Sequence, residues 1–229
     1  MRFNRIVFLL LAVLALLGGC QRAHAEVASD ARFVEELTFL GDSITAHMAQ
    51  RSEVAKERVW ATRERYLNLD ARIAHARVIA PDTGAEELIA SVAARIRPKY
   101  LVITLGIDYG VYYYRDAPQT FAHYYEVLLD GIENASPNTK ILLQSIFPVT
   151  PACHVVSNAM IDNANAVIRE IAARRGLYYL DTQAVLRDAD GYLKEAYCNS
   201  VDGIHLNEEA YRVILSYIES KAVEVRGFG

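Results

Sequence analysis

The chain has 229 residues, 52% of them hydrophobic and 23% charged, enough for one domain with a sizeable core. That composition excludes a disordered chain, a collagen-like chain and a polytopic membrane protein. With 24 basic residues against 28 acidic ones and a net charge of −4, there is no electrostatic footprint for nucleic acid, and the three cysteines are too few for a disulfide scaffold and odd in number.

The first segment is a targeting signal by its anatomy. Arg2 and Arg5 precede an unbroken apolar run from Ile6 to Leu17, followed by Gly18, Gly19 and Cys20. As a helix that run spans about 18 Å at ~1.5 Å per residue, short of the ~30 Å of a bilayer core. A basic head, a short apolar body and small residues before a cut mark a secretory signal peptide over residues 1–19. Leu17-Gly18-Gly19-Cys20 resembles a bacterial lipobox, which implies lipidation of Cys20; Gln21 at the next position implies outer-membrane sorting in a Gram-negative cell envelope, facing the periplasm. Such an anchor tethers the protein to a membrane without any part of the fold spanning it. Removing residues 1–19 takes away two arginines and no acid, so −4 becomes −6. Cys153 and Cys198 then remain as an even pair, free to bridge in an oxidising compartment.

Residues 20–34 read as a tether and 35–229 as the folded domain. Leu37 to Leu40 is the first expected strand. A charged stretch around Glu53 to Tyr66 reads as a solvated helix, and Ile73 to Ala80 as a second strand. Thr83-Gly84-Ala85-Glu86 is a capping box expected to open a helix carrying Leu88, Ile89, Val92 and Ile96, closed by Pro98. Tyr100 to Leu105 is an apolar, β-rich run suited to a strand buried on both faces. Asp116 and Pro118 open the next helix, with Phe121, Tyr125, Leu128, Leu129 and Ile132 inward. Ile141 to Phe147 is the fourth strand. Ser157 to Arg175 is a helix ended by Gly176, with Met160, Ile161, Ala164, Ile168 and Ile171 on one face. Leu177 to Leu180 is the fifth strand, and the last helix starts at Asn207 with Tyr211, Ile214, Leu215 and Ile218 inward. Strand and helix alternating five times predict one α/β domain with a parallel sheet between two helical layers.

In such folds reactive groups gather beyond the carboxyl ends of the strands. Gly41-Asp42-Ser43 follows the first strand, Gly106-Ile107-Asp108 the third, and Asp202-Gly203-Ile204-His205 precedes the last helix. A serine, a histidine and an aspartate from distant parts of the chain supply a nucleophile, its base and the base's orienter. Asp202 and His205 lie three apart in a loop, so the carboxylate can hold one imidazole nitrogen while the other faces Ser43. His47, on the helix of Ser43 itself, points along its axis and is the poorer base. Asp181, ending the fifth strand, could substitute for Asp202 but reads as a loop cap. The remaining histidines lack metal-ligand spacing, so no metal or other cofactor is expected.

With Gly41-Asp42-Ser43-Ile44 near its start and Asp202-Gly203-Ile204-His205-Leu206-Asn207 near its end, the chain resembles the GDSL family of SGNH hydrolases over roughly Leu37 to Ala222. The resemblance implies a single-domain, flavodoxin-like (SGNH-type) three-layer sandwich with a five-stranded parallel sheet. It implies Ser43, His205 and Asp202 as catalytic residues and the Ser43 backbone N–H in the oxyanion hole. Two departures stand out. The family's second-block glycine has no counterpart in Ala76-Arg77-Val78-Ile79-Ala80-Pro81. Its oxyanion-hole side-chain amide is replaced by Asp108, which when ionised donates nothing and repels an oxyanion. Either Asp108 is held neutral and donates, or another group such as Tyr109 takes the place. Tyr109, Tyr112, Tyr113 and Tyr114 follow, and suit either a substrate-facing rim or loop packing. The implied activity is hydrolysis of small acyl esters, on an acetylated glycan or a lysophospholipid-like molecule. Two alternatives stay open: a cell-envelope glycan O-acyltransferase, and a catalytically weak binding lipoprotein.

Overall fold

The computed structural model describes residues 32–228. The signal segment, Cys20 and Gln21 lie outside the described residues. A 3-10 turn, Phe33–Glu36, leads into β1 (Leu37–Gly41), followed by α1 (Ser43–Arg51), β2 (Val59–Trp60), β3 (Arg77–Ile79), β4 (Glu86–Leu88) and α2 (Ile89–Ile96). Then come β5 (Tyr100–Thr104), α3 (Pro118–Ala135), β6 (Lys140–Gln144), α4 (Asn158–Arg175), β7 (Tyr178–Leu180), α5 (Gln183–Leu186), α6 (Glu208–Ser220) and α7 (Ala222–Gly227).

Five strands form one sheet in the order β2-β1-β5-β6-β7, and every neighbouring pair is parallel. β1 and β5, at its centre, are buried at every position, as strands covered on both faces must be. Helices α2, α3 and α4 pack side by side, while α1, α5 and the amino-terminal 3-10 turn gather around α6. The result is the expected three-layer α/β sandwich.

The helices follow their local signals. Pro118 opens α3, whose Phe121, Tyr125, Leu128, Leu129 and Ile132 are all buried. Ser157 caps α4 by accepting the Met160 N–H, and Gly176 ends it in a left-handed conformation. Asn207 caps α6 by accepting the Ala210 N–H, with Glu208 and Glu209 in the first turn, where acids oppose the helix dipole.

Four expectations are corrected. Glu53 to Tyr66 is not a helix: it holds the edge strand β2, whose Trp60 is fully buried, because a β-branched and an aromatic residue there outweigh the flanking charges. Ile73 to Ala80 does not enter the main sheet; β3 pairs antiparallel with β4 in a separate two-stranded ribbon. The Thr83 hydroxyl bonds the Glu87 carboxylate and the Ala85 N–H, so the capping box becomes a turn and the helix starts only at Ile89. The folded unit also reaches back into the expected tether, for Phe33 and Val34 are buried and the Glu219 carboxylate accepts both of their N–H groups at 3.0 Å. Among the described residues no helix is long and apolar enough to cross a membrane.

Candidate active site

Gly41 ends β1 where no other residue fits. A Cβ there would stand 2.1 Å from the Thr104 carbonyl oxygen and 2.3 Å from Thr45 Oγ1. The chain therefore turns directly from β1 into α1, and Ser43 becomes its first residue, at the carboxyl edge of the sheet. Asp42 occupies the N-cap position but does not cap with its side chain. Its Oδ2 instead accepts the Gly106 and Ile107 N–H groups, each at 3.1 Å. These bonds tie the loop after β5 to the loop after β1. Asp42 is 1% exposed, and burial, reinforced by the nearby Asp108 carboxyl, pushes its pKa well above the usual carboxylate range. Its Oδ1 has no partner among the described residues, which suits a carboxyl that keeps its proton.

Ser43 meets the terminal loop across the cleft. His205 Nε2 lies 3.1 Å from Ser43 Oγ, and His205 Nδ1 lies 2.9 Å from Asp202 Oδ2. The other Asp202 oxygen accepts the Ile204 N–H at 2.8 Å and the Ser200 hydroxyl. Burial acts to raise the Asp202 pKa, but the hydrogen bonds from Ser200, Ile204 and His205 prevail and lower it to about 2. An ionised Asp202 fixes the proton of neutral His205 on Nδ1 and leaves Nε2 as an acceptor facing Ser43. Gly203 makes this short loop possible. It has φ +74, and a Cβ would lie 2.4 Å from Thr150 Oγ1 and 2.8 Å from the Cys153 nitrogen. On the opposite side Arg51 Nη1 donates to the Leu206 carbonyl at 2.8 Å, joining α1 to the loop that carries His205.

Asp108 lies against the same serine. The Ser43 N–H donates to its Oδ2 at 3.0 Å, and the Ser43 hydroxyl is 2.8 Å from its Oδ1. The carboxyl thus covers the backbone donor expected to receive an oxyanion. Asp108 is exposed, yet desolvation by the protein packed around it raises its pKa, against the hydrogen bonds from Ser43 that pull it down. Tyr109 does not take its place: the Tyr109 ring stacks on Tyr113 at 3.9 Å and its carbonyl accepts the Leu69 N–H. Tyr114 packs against the core and Tyr124, whereas Tyr112 and Tyr113 are exposed.

His47 is not hydrogen-bonded to Ser43. Its ring stands edge-on to His205, with centroids 4.9 Å apart. Burial, then Arg51 and His205, lower its pKa to about 4. Asp181 faces Arg169 at 3.9 Å rather than His205. Cys153 and Cys198 are free thiols, so the bridge left open by the sequence is not formed; the Cys198 thiol donates to the Ser200 carbonyl instead. The second sheet strand being β2, the loop that follows it at this edge is Ala61 to Tyr66, not Ala76 to Pro81. Among the described residues no group of three or more His, Cys, Asp or Glu side chains is placed to hold a metal ion.

Several participants carried no sequence signal. The tie from Asp42 to the loop after β5, the support of Ser200, and the edge-on His47 all depend on tertiary approach. Only the Gly-Asp-Ser context of Asp42 hinted at a role.

Solved structures of similar fold span the domain. One, from Streptococcus pneumonia and provisionally assigned as a platelet activating factor, is 17% identical with a TM-score of 0.58, covering 97% of this chain and 100% of its own. A carbohydrate esterase family 3 structure from Talaromyces cellulolyticus is 15% identical with a TM-score of 0.54, covering 84% of this chain and 99% of its own. At these identities the likeness speaks to the fold. No curated protein sequence matches the chain. Residues 39–213 match the GDSL-like Lipase/Acylhydrolase family, and that span takes in Ser43, Asp108, Asp202 and His205, so the chain belongs to this family.

Proposed function

We propose that the protein is a serine ester hydrolase acting on small acyl esters, such as an acetylated glycan or a lysophospholipid-like molecule. The observation that carries this reading is the unbroken chain from Ser43 Oγ to His205 Nε2 and from His205 Nδ1 to Asp202. Ser43 Oγ attacks the ester carbonyl while its proton passes to His205 Nε2. The bond to the alcohol then breaks, and the alcohol leaves with that proton. Water attacks the acyl-serine, gives a proton to His205, and releases the carboxylic acid as Ser43 recovers its own. Asp202 orients the imidazole and offsets its transient charge. A carbohydrate esterase of the same fold is consistent with a glycan ester.

The oxyanion has to reach the Ser43 N–H, so the Asp108 carboxyl must move off it or carry a proton. In the neutral form Asp108 donates to Ser43 Oγ, which frees the serine's single hydrogen for His205. In the ionised form Asp108 takes that hydrogen and leaves His205 nothing to abstract. This contact also favours a second reading, a catalytically weak binding lipoprotein. Labelling with an active-site serine probe separates them. The hydrolase reading expects labelling of wild type that is lost in Ser43→Ala; folded wild type that stays unlabelled overturns it.

Residues 1–19 act, in this proposal, as a lipoprotein signal, with Cys20 as the lipidated first residue and the domain facing the periplasm. Incorporation of labelled palmitate that disappears in Cys20→Ala tests this; incorporation that persists overturns it.

A further inference from the structure

Beside Ser43 lies a groove that none of the steps above uses. Its cavity of about 510 Å³ is lined by Ala46 and Val59, by Ala61, Thr62, Arg63 and Arg65 of the loop after β2, and by Ile79 to Pro81 with Gly84. Ala46 stands three residues after Ser43 on α1, and residues so spaced share one helix face. The groove therefore runs along the flank of α1 that starts at the nucleophile, between the end of β2 and the β3–β4 ribbon. Arg65, on its wall, stands close enough to His47 to add to the forces that keep that imidazole neutral, and His47 touches His205. The groove therefore starts within one helical turn of Ser43 on α1.

The charge of this groove runs against that of the chain, which is −4 overall. Lys56, Glu57, Arg63 and Arg65 line it, three cations against one anion. Among the described residues neither Lys56 nor Arg65 has a carboxylate within ion-pairing distance, and Arg63 has only Glu86 at 3.9 Å. The loop itself is held in shape, with the Thr62 hydroxyl bonded to both the N–H and the carbonyl of Tyr66. Among the described residues Arg65 is one of two non-glycine residues with positive φ, at 65°, a conformation that costs a side-chain-bearing residue energy. Three cations around a concave site, two of them without a carboxylate partner among the described residues and Arg65 on a fixed loop, are an arrangement that concentrates and orients anions.

We infer that this groove binds an anionic group, a carboxylate or phosphate, on the alcohol portion of the ester, with Lys56, Arg63 and Arg65 as its contacts. The inference rests on the ester-hydrolase reading for the word ester, but the groove is testable without it. Its volume exceeds what a short acyl group requires and lies in the range of small-molecule sites. Of the substrates considered, a lysophospholipid-like ester, whose alcohol carries a phosphate, satisfies it, as does an acylated glycan bearing a uronate or phosphate; a neutral glycan does not.

The test pairs two acetyl esters of equal size, acetylated methyl glucuronoside and acetylated methyl glucoside. Wild type is expected to favour the uronate in kcat/KM by roughly tenfold, with the preference shrinking as salt screens it. In the folded triple variant K56Q/R63Q/R65Q the ratio between the two esters is expected to fall to about one. A wild-type ratio near one, or a preference that survives in the variant, overturns the inference. If neither ester is turned over, the hydrolase reading fails instead, and calorimetric titration with inorganic pyrophosphate decides the groove. Binding to wild type that the triple variant loses supports it; absent binding, or binding the variant keeps, overturns it.

Discussion

The carboxyl group of Asp108 holds Ser43 at two points, taking the backbone N–H on Oδ2 at 3.0 Å and lying 2.8 Å from Oγ with Oδ1. A substrate oxyanion needs the first of these donors, and His205 needs the hydrogen of the second. One acidic side chain thus competes for both resources of the nucleophile.

Replacing the charge with an amide removes that competition. Asp108→Asn presents an N–H to an incoming oxyanion and has no negative charge to repel it. One oxyanion donor is typically worth ~10²–10³ in rate. We expect kcat/KM at neutral pH to rise in Asp108→Asn by at least about tenfold, within that bound. Equal or lower activity in a folded variant would show that the carboxylate is not what limits the wild type.

The same contact sets a pH dependence. Desolvation by the protein around it raises the Asp108 pKa from its ordinary value, so its neutral, donating form extends to higher pH than that of an unperturbed aspartate. Wild-type kcat/KM is expected to fall as pH rises through that pKa, because the carboxyl then ionises. Asp108→Asn has no proton there to lose. Its pH profile should lack this descending step, whereas a step that persists in the variant would assign it to another group.

Much of this was legible from local signals, and what escaped had none to give. β5 is a continuous apolar run, α3 carries proline and inward residues at helical spacing, and α6 opens on an asparagine cap, so each announces itself within a single window. β2 is two residues long, too short for periodicity, and sits among charges that resemble an exposed helix. Only parallel pairing of Phe39 and Leu40 with Val59 and Trp60 reveals it. The meeting of Ser43, His205 and Asp202 could be anticipated because the fold class gathers strand ends at one edge. The grip of Asp108 on Ser43 could not, since it depends on how two loops approach within hydrogen-bonding distance.

Asp202 is expected to act on rate more than on binding. Its ionised oxygen holds His205 Nδ1, and an amide there favours the wrong imidazole tautomer, a change that in other triads costs ~10⁴ in kcat. Asp202→Asn should lower kcat by about 10³–10⁴ with KM little altered. Because its folded pKa is about 2 against an ordinary 3.8, the carboxylate contributes stability that is fully present above pH 3.8 and lost as pH falls through about 2. Its partial exposure keeps that contribution small. Acid unfolding followed between these limits should therefore be shallower in the variant; identical acid limbs would show that Asp202 is no better held in the folded state than in the unfolded one.

Gly203 separates strain from placement. Its φ of +74 means that alanine there takes on the left-handed penalty, and its Cβ must also push against Thr150 Oγ1 at 2.4 Å and the Cys153 nitrogen at 2.8 Å. Gly176, at the end of α4, has φ +65 but open space around it. Alanine at either position costs ~1–2 kcal/mol from the conformation alone. Only Gly203→Ala also has to displace the loop between Asp202 and His205, and a shift near 1 Å at a catalytic group costs about 10² in rate. Thermal unfolding should show both variants destabilised, Gly203→Ala the more. Esterase assays should show kcat falling about 10²-fold in Gly203→Ala and hardly at all in Gly176→Ala. A Gly203→Ala enzyme with wild-type kcat would mean that Thr150 yields instead of the loop, and that His205 owes its position to Ser200 and Arg51 rather than to the glycine turn.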